Sequence, residues 1–146
     1  MKRIIITITI LSSIGAGAQE SALKSQQEVQ QTIIHVFEAL SNRDEGNLRN
    51  NCTSDVRFYE YGKTWTIDTL IHLAITKNTD TDFKRTNKLD FINTTLKGNV
   101  AWATYNLTSN ITRNEKEIIV KWNETAILLK DKKRWKLAVL QSTRVP

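Results

Sequence analysis

One cysteine, Cys52, is all the sequence contains, so no disulfide can form within the chain and stability must come from packing. Cys52 itself reads as a small buried hydrophobe, because Leu48 stands four residues before it on a possible helical turn. The two histidines, His35 and His72, lie at no ligand spacing from each other or from the thiol, which argues against a zinc site. No cofactor is expected. Proline occurs once, as the last residue, so no strand is interrupted by one. No stretch after the N-terminus approaches the roughly 18 apolar residues of a membrane span. The mature chain is therefore expected to be soluble, with no integral membrane segment. Repeats and linkers are also absent.

The N-terminus carries the outline of a secretory signal. Lys2 and Arg3 form a positive n-region, residues 4–14 an apolar h-region too short to span a bilayer, and Ala16-Gly17-Ala18 a small-x-small cleavage site. The sequence thus predicts a signal peptide over 1–18 and a single domain over 19–146, a common size for one domain with one core. No cysteine follows the h-region to carry a lipid, so a free periplasmic or secreted domain with a bacterial signal is expected. Losing Lys2 and Arg3 leaves 19 basic against 15 acidic residues, +4 instead of +6. The one basic cluster, Lys130, Lys132, Lys133, Arg134 and Lys136, straddles Asp131 in what reads as a hairpin turn. A nucleic-acid reader needs its charges on one face with aromatics interleaved. A solvated loop accounts for these, and no nucleic-acid partner is expected. The Asn-x-Thr triplets at Asn51, Asn93, Asn106, Asn110 and Asn123 follow from a chain rich in Asn and Thr, and several fall inside predicted strands.

Val29, Ile33, Val36, Phe37 and Leu40 recur at helical spacing and predict a helix over 21–40, with His35 nearly opposite the apolar stripe. Asp44-Glu45-Gly46-Asn47 breaks that pattern, and a short helix is predicted over 48–52. Val56, Phe58 and Glu60 alternate with Arg57, Tyr59 and Tyr61 in a strand that ends at Gly62. Ile67, Leu70, Ile71, Ala74 and Ile75 mark a second helix; Asp68 suits the dipole of its first turn, and His72 lies at the edge of the stripe. From Phe83 onward the signal is strand: 88–96, 100–111, 117–130 and 134–145, separated by turns at Gly98-Asn99, Arg113-Asn114 and Lys132-Lys133. Helices followed by long sequential strands imply an α+β domain, an antiparallel meander with helices on one face.

If Lys132-Lys133 is the tip of the last hairpin, Leu128 faces Leu137, Ala126 faces Val139, and Glu124 faces Gln141. Alternation then puts Trp122, Glu124, Leu128, Trp135, Val139 and Gln141 on one mostly apolar face. Ile127, Leu129 and Leu140 fall on the other. Glu124 and Gln141 either bond each other at a rim or orient a small ligand in an apolar pocket.

A wider pattern accompanies this. The long first helix leads into Ala39-Leu40-Ser41-Asn42-Arg43-Asp44-Glu45-Gly46-Asn47-Leu48. Ser54-Asp55-Val56-Arg57-Phe58-Tyr59 and Tyr61-Gly62 follow, and the chain closes on Arg134-Trp135-Lys136-Leu137-Ala138-Val139-Leu140-Gln141-Ser142. In order and spacing this series resembles the nuclear transport factor 2-like superfamily, especially its SnoaL-like and calcium/calmodulin-kinase-association-like bacterial members, over essentially the whole mature chain. The resemblance implies a cone-shaped, strongly curved antiparallel sheet wrapped around N-terminal helices, with a pocket between them. It also implies a homodimer formed through the outer face of the sheet, which the apolar Ile127, Leu129 and Leu140 would fit. The fold serves enzymes and binding modules alike, so activity must be argued from the pocket.

Many relatives carry a histidine in the last strand where this chain has Gln141, which cannot exchange protons near neutral pH. Related steroid isomerases use an Asp base with a Tyr–Asp oxyanion hole; Tyr59, Tyr61, Asp55, Asp90 and Glu124 are the comparable raw material here. The leading reading is an exported module that binds a small apolar or amphipathic molecule or serves as a dimeric interaction domain. Its pocket candidates are Tyr59, Tyr61, Trp122, Glu124, Trp135, Val139 and Gln141. The alternative is an isomerase, dehydratase or cyclase that moves a proton next to a carbonyl, with Glu124 or Asp55 as base and a Tyr as donor. No catalytic residue is assigned. A binder of nucleic acid or anionic surfaces using the 130–136 cluster is the third.

Overall fold

A computed structural model describes residues 14–146, with side chains from Gln19 onward. Most of the expected signal peptide, residues 1–13, lies outside the described residues. Helix α1 (Ile14–Ser41) runs through Ala16-Gly17-Ala18. No described helix is long and apolar enough to cross a membrane.

The expected stripe of α1 is its buried face: Val29, Ile33, Val36, Phe37 and Leu40 all pack into the core, while His35 is exposed beside Gln31. Side chains also tie this helix to the sheet, with Gln26 Nε2 donating to the Thr94 carbonyl and Gln30 Nε2 to Thr94 Oγ1, both at 2.9 Å. The short helix α2 (Glu45–Asn50) starts earlier than expected. Asp44 caps it by accepting from the Asn47 amide at 2.9 Å, and Cys52 instead opens strand β1 (Cys52–Glu60). Burial pushes the Cys52 thiol up to about 12 against a weaker pull from Lys136, so it is a packing residue without thiolate chemistry.

An additional strand, β2 (Lys63–Trp65), pairs back on β1 through a two-residue turn at Tyr61-Gly62. Both turn residues have positive φ, 51° and 69°, as the tight turn of a right-twisted hairpin demands. Then comes α3 (Ile67–Ile71), which Thr66 caps by accepting from the Thr69 amide; it widens into one π-helical turn over His72–Thr76. His72 is exposed.

Four long strands complete the chain: β3 (Lys84–Lys97), β4 (Val100–Arg113), β5 (Lys116–Asp131) and β6 (Arg134–Val145). The six strands order as β2-β1-β6-β5-β4-β3. Every neighbour is antiparallel except β1 and β6, which run parallel, so the expected meander holds for β3 to β6 but β1 joins it by a longer crossover. The turn placed at Arg113-Asn114 sits one residue later, at Asn114-Glu115. Both residues have positive φ there, and both amides donate to the Asp82 carboxylate.

The register shifts at three places, between Cys52 and Arg57 where β1 meets β6 and at two bulges in the long strands. One at Ile92 leaves that side chain 69% exposed; the other is at Ala138 and changes the last hairpin. From Asp131↔Arg134 to Leu128↔Leu137 the pairing is as expected, but Ala138 is then skipped, so Ile127 faces Val139 and Ala126 faces Leu140. Leu140 and Ser142 consequently turn inward and are buried, while Val139 and Gln141 turn outward. The expected Glu124–Gln141 pair does not form: Glu124 faces Ser142, and Gln141 is exposed on the opposite face.

Candidate functional site

A cavity of about 260 Å³ opens between the concave face of the sheet and the helices. Phe37 and Leu40 of α1 form one wall, and Leu70, Leu73 and Ala74 another. The π turn matters here, since it carries Leu73 and Ala74 on the cavity side of an otherwise short helix. Phe58, Trp65, Leu107, Trp122 and Leu140 complete the apolar lining, with Tyr61 at the rim. Among these walls stand four polar groups: Glu60, Arg85, Glu124 and Ser142.

Glu124 is the deepest of the charged groups, 6% exposed. Its Oε1 accepts from Ser142 Oγ at 2.8 Å, a contact made possible by the Ala138 bulge. Its Oε2 is buried with no hydrogen-bond partner, and so is the hydroxyl of Tyr105, directly across on β4. Burial pushes Glu124 from 4.5 up to about 7. The hydroxyls of Tyr105, from beyond hydrogen-bonding geometry, and of Ser142 oppose that rise; the charge of Glu60 adds to it and that of Arg85 opposes it. Burial raises the Tyr105 phenol well above its ordinary value as well, and the facing carboxylate adds to the effect.

Glu60, on the last residue of β1, accepts from Trp122 Nε1 at 3.1 Å. Burial raises its carboxyl too, against the pull of that indole N–H and of Arg85. Arg85 enters from β3 with its guanidinium over the rings of Phe37 and Trp122, 5.8 and 5.9 Å from their centroids. Burial lowers its basicity, but a guanidinium stays cationic at any ordinary pH.

Of the residues expected from the sequence, Trp122, Glu124 and Tyr61 meet at this cavity. Val139 and Gln141 do not, because the bulge turns them outward, and Tyr59 is exposed on the outer phase of β1. Trp135 is buried but lies at the other end of the hairpin, beside Thr32 and His35 in a separate shallow groove. It pairs with Lys130, eight residues along β5 from Trp122, which places the two indoles roughly 26 Å apart at strand rise. Asp55 and Asp90 are exposed outside the cavity, the latter paired with Lys88 at 2.9 Å. The polar groups that sequence reasoning missed are Glu60, Arg85, Tyr105 and Ser142. Arg85 precedes the expected start of its strand, though Arg85, Asn87, Leu89 and Phe91 share the alternation of a half-buried face.

No family model matches the chain, and no curated protein is significantly similar to it. Solved structures are similar to it in three dimensions. A nuclear transport factor 2 (NTF2-like) superfamily protein from Salmonella enterica serovar Typhimurium superposes with a TM-score of 0.73 at 16% identity, covering 85% of this chain and 93% of that one. A ketosteroid isomerase-like protein from Erwinia carotovora atroseptica gives 0.66 at 12% identity, over 83% and 96%. The CaMKII hub of S. rosetta gives 0.67 at 18%, over 82% and 96%. Matches that span nearly the whole of each neighbour identify the architecture: this chain has the nuclear transport factor 2-like fold.

Proposed function

We propose that this chain is an exported binding module whose cavity takes one small, largely apolar molecule. The observation that carries the reading is the cavity itself, mostly apolar on its helical and sheet walls, with four polar groups among its lining. The charged n-region, short h-region and Ala16-Gly17-Ala18 support export. A neutral probe, phenylacetamide, should saturate the protein in a titration that follows tryptophan fluorescence. Ala74→Trp, which fills the mouth, should abolish that binding while the fold persists by circular dichroism. Absence of saturable binding, or binding untouched in the filled variant, would overturn the reading.

A second reading is favoured by one observation: Glu124, with a folded value of about 7 in an apolar site, is poised as a general base near neutral pH. Proton transfer next to a carbonyl would then be the reaction. Exchange of the α-hydrogens of cyclohexanone in D2O, followed by NMR, should be accelerated by the wild type and lost in Glu124→Gln. If the protein only binds, the rate with wild type equals that of the buffer.

In this reading the module also works as a homodimer. Val100, Trp102, Ile127, Leu129 and Val139 form cross-strand neighbours on the outer face, with Ile127 36% and Leu129 42% exposed. Leu140, expected there, is inside instead. The solved hub with this fold supports association. Leu129→Lys should lower the molar mass toward monomer in light scattering without loss of fold, and a monomeric wild type at tens of micromolar, on the order expected for weak assembly, would count against the dimer.

A further inference from the structure

Arg85 is the one cavity group whose charge cannot be titrated away, and no carboxylate touches it. Among the described residues it makes no ion pair within 4.0 Å, although Glu60 and Glu124 line the same cavity. Its outer edge is fastened. Nε donates to Asn87 Oδ1 at 2.9 Å and Nη2 to Ser109 Oγ at 3.1 Å, and Asn87 is itself held by Ser41 of α1 through Nδ2 at 2.7 Å. The rings of Phe37 and Trp122 cover the guanidinium. What remains is the second N–H of Nη2 and the whole of Nη1, which has no hydrogen-bond partner among the described residues. A half-buried cation held through two nitrogens and left open on the third is a built receptor.

The geometry points to a small apolar carboxylic acid as the ligand of this cavity, its carboxylate received by Arg85 Nη1 and its apolar body lying between α1 and the π turn. This rests on the pocket reading above and names the class of molecule. The two resident carboxyls do not remove the need for an anion. Glu60 is occupied by the Trp122 indole, Glu124 by Ser142, and burial favours the neutral form of both. An incoming carboxylate would supply the counter-charge that neither provides by contact. The modest volume suits a ligand of one ring or a short chain.

Three probes with the same phenyl body decide the matter on the wild-type protein: phenylacetate, phenylacetamide and phenethylamine, titrated by calorimetry at pH 7. Phenylacetate should bind about tenfold more tightly than the amide, the usual worth of a charge-assisted hydrogen bond. The amine should be weakest. Arg85→Met should erase the preference for acid over amide; Arg85→Lys, which keeps the charge, should retain part of it. Equal binding of acid and amide, or tighter binding of the amine, would overturn the carboxylate assignment and leave the pocket reading standing. If none of the three binds, both fall. The ranking in the wild type holds its force even where Arg85→Met fails to fold.

Discussion

Between pH 4.5 and pH 8 the folded protein should lose about 3 kcal/mol of stability through Glu124 alone. The direction follows from where the proton sits. The unfolded carboxyl ionises around 4.5, whereas the folded one keeps its proton to about 7, so across that window unfolding releases a proton and rising pH favours it. Stability from this group is complete below 4.5, falls between 4.5 and 7, and levels off above. Glu60, also raised by burial, adds in the same sense, and Asp82, lowered by the amides of Glu115 and Asn114, acts the other way at lower pH. The clean reading is therefore the difference between wild type and Glu124→Gln, from urea unfolding at pH 4.5, 6 and 8. The variant should be flatter by about the stated amount, and at pH 8 at least as stable as the wild type. Parallel curves for the two proteins would show that Glu124 is not held in an apolar site.

Truncating Leu107 to Ala should cost about 3 kcal/mol, within the usual range for a buried leucine, and lower the melting temperature by on the order of 10 °C. Leu107 is 1% exposed on β4, paired with Leu89 on one side and Trp122 on the other, and its side chain forms part of the cavity wall. The deletion therefore adds its void to space already present, and the walls have little freedom to collapse into it because two strands fix the backbone. The same change enlarges the cavity. A loss below about 1 kcal/mol would mean that the position is not close-packed.

The elements were legible because each carries a strong local signal. The α1 stripe at helical spacing, the Gly98-Asn99 turn and the β-branched strands all dictate their conformations with little help from the rest of the fold. What was not legible is what depends on distant pairing. The bulge at Ala138 has no local signature; it arises from matching β6 to β5 on a bent sheet, and it alone decided whether Gln141 or Ser142 met Glu124. Trp122 and Trp135 share an inward phase, but phase is silent about position along a strand, so the sequence put on one wall two indoles that occupy different ends of the hairpin. Arg85 escaped because the strand begins at Lys84, four residues before its expected start, which hid an arginine sitting on the apolar phase. Tyr105 sits among the core residues of β4 and is found only once β4 and β5 are paired.

The extra residue at Ala138 also makes this stretch of β6 tolerant of losing one residue. Ala138 is the residue left out of the ladder, so deleting it keeps Val139 opposite Ile127, Leu140 opposite Ala126 and Ser142 opposite Glu124. Strict alternation then returns with Leu140 and Ser142 still inward. Substitution at the cavity wall changes one side chain at a time, whereas loss of this codon changes none of them. A chain shorter by that one residue would therefore keep the contact between Ser142 and Glu124.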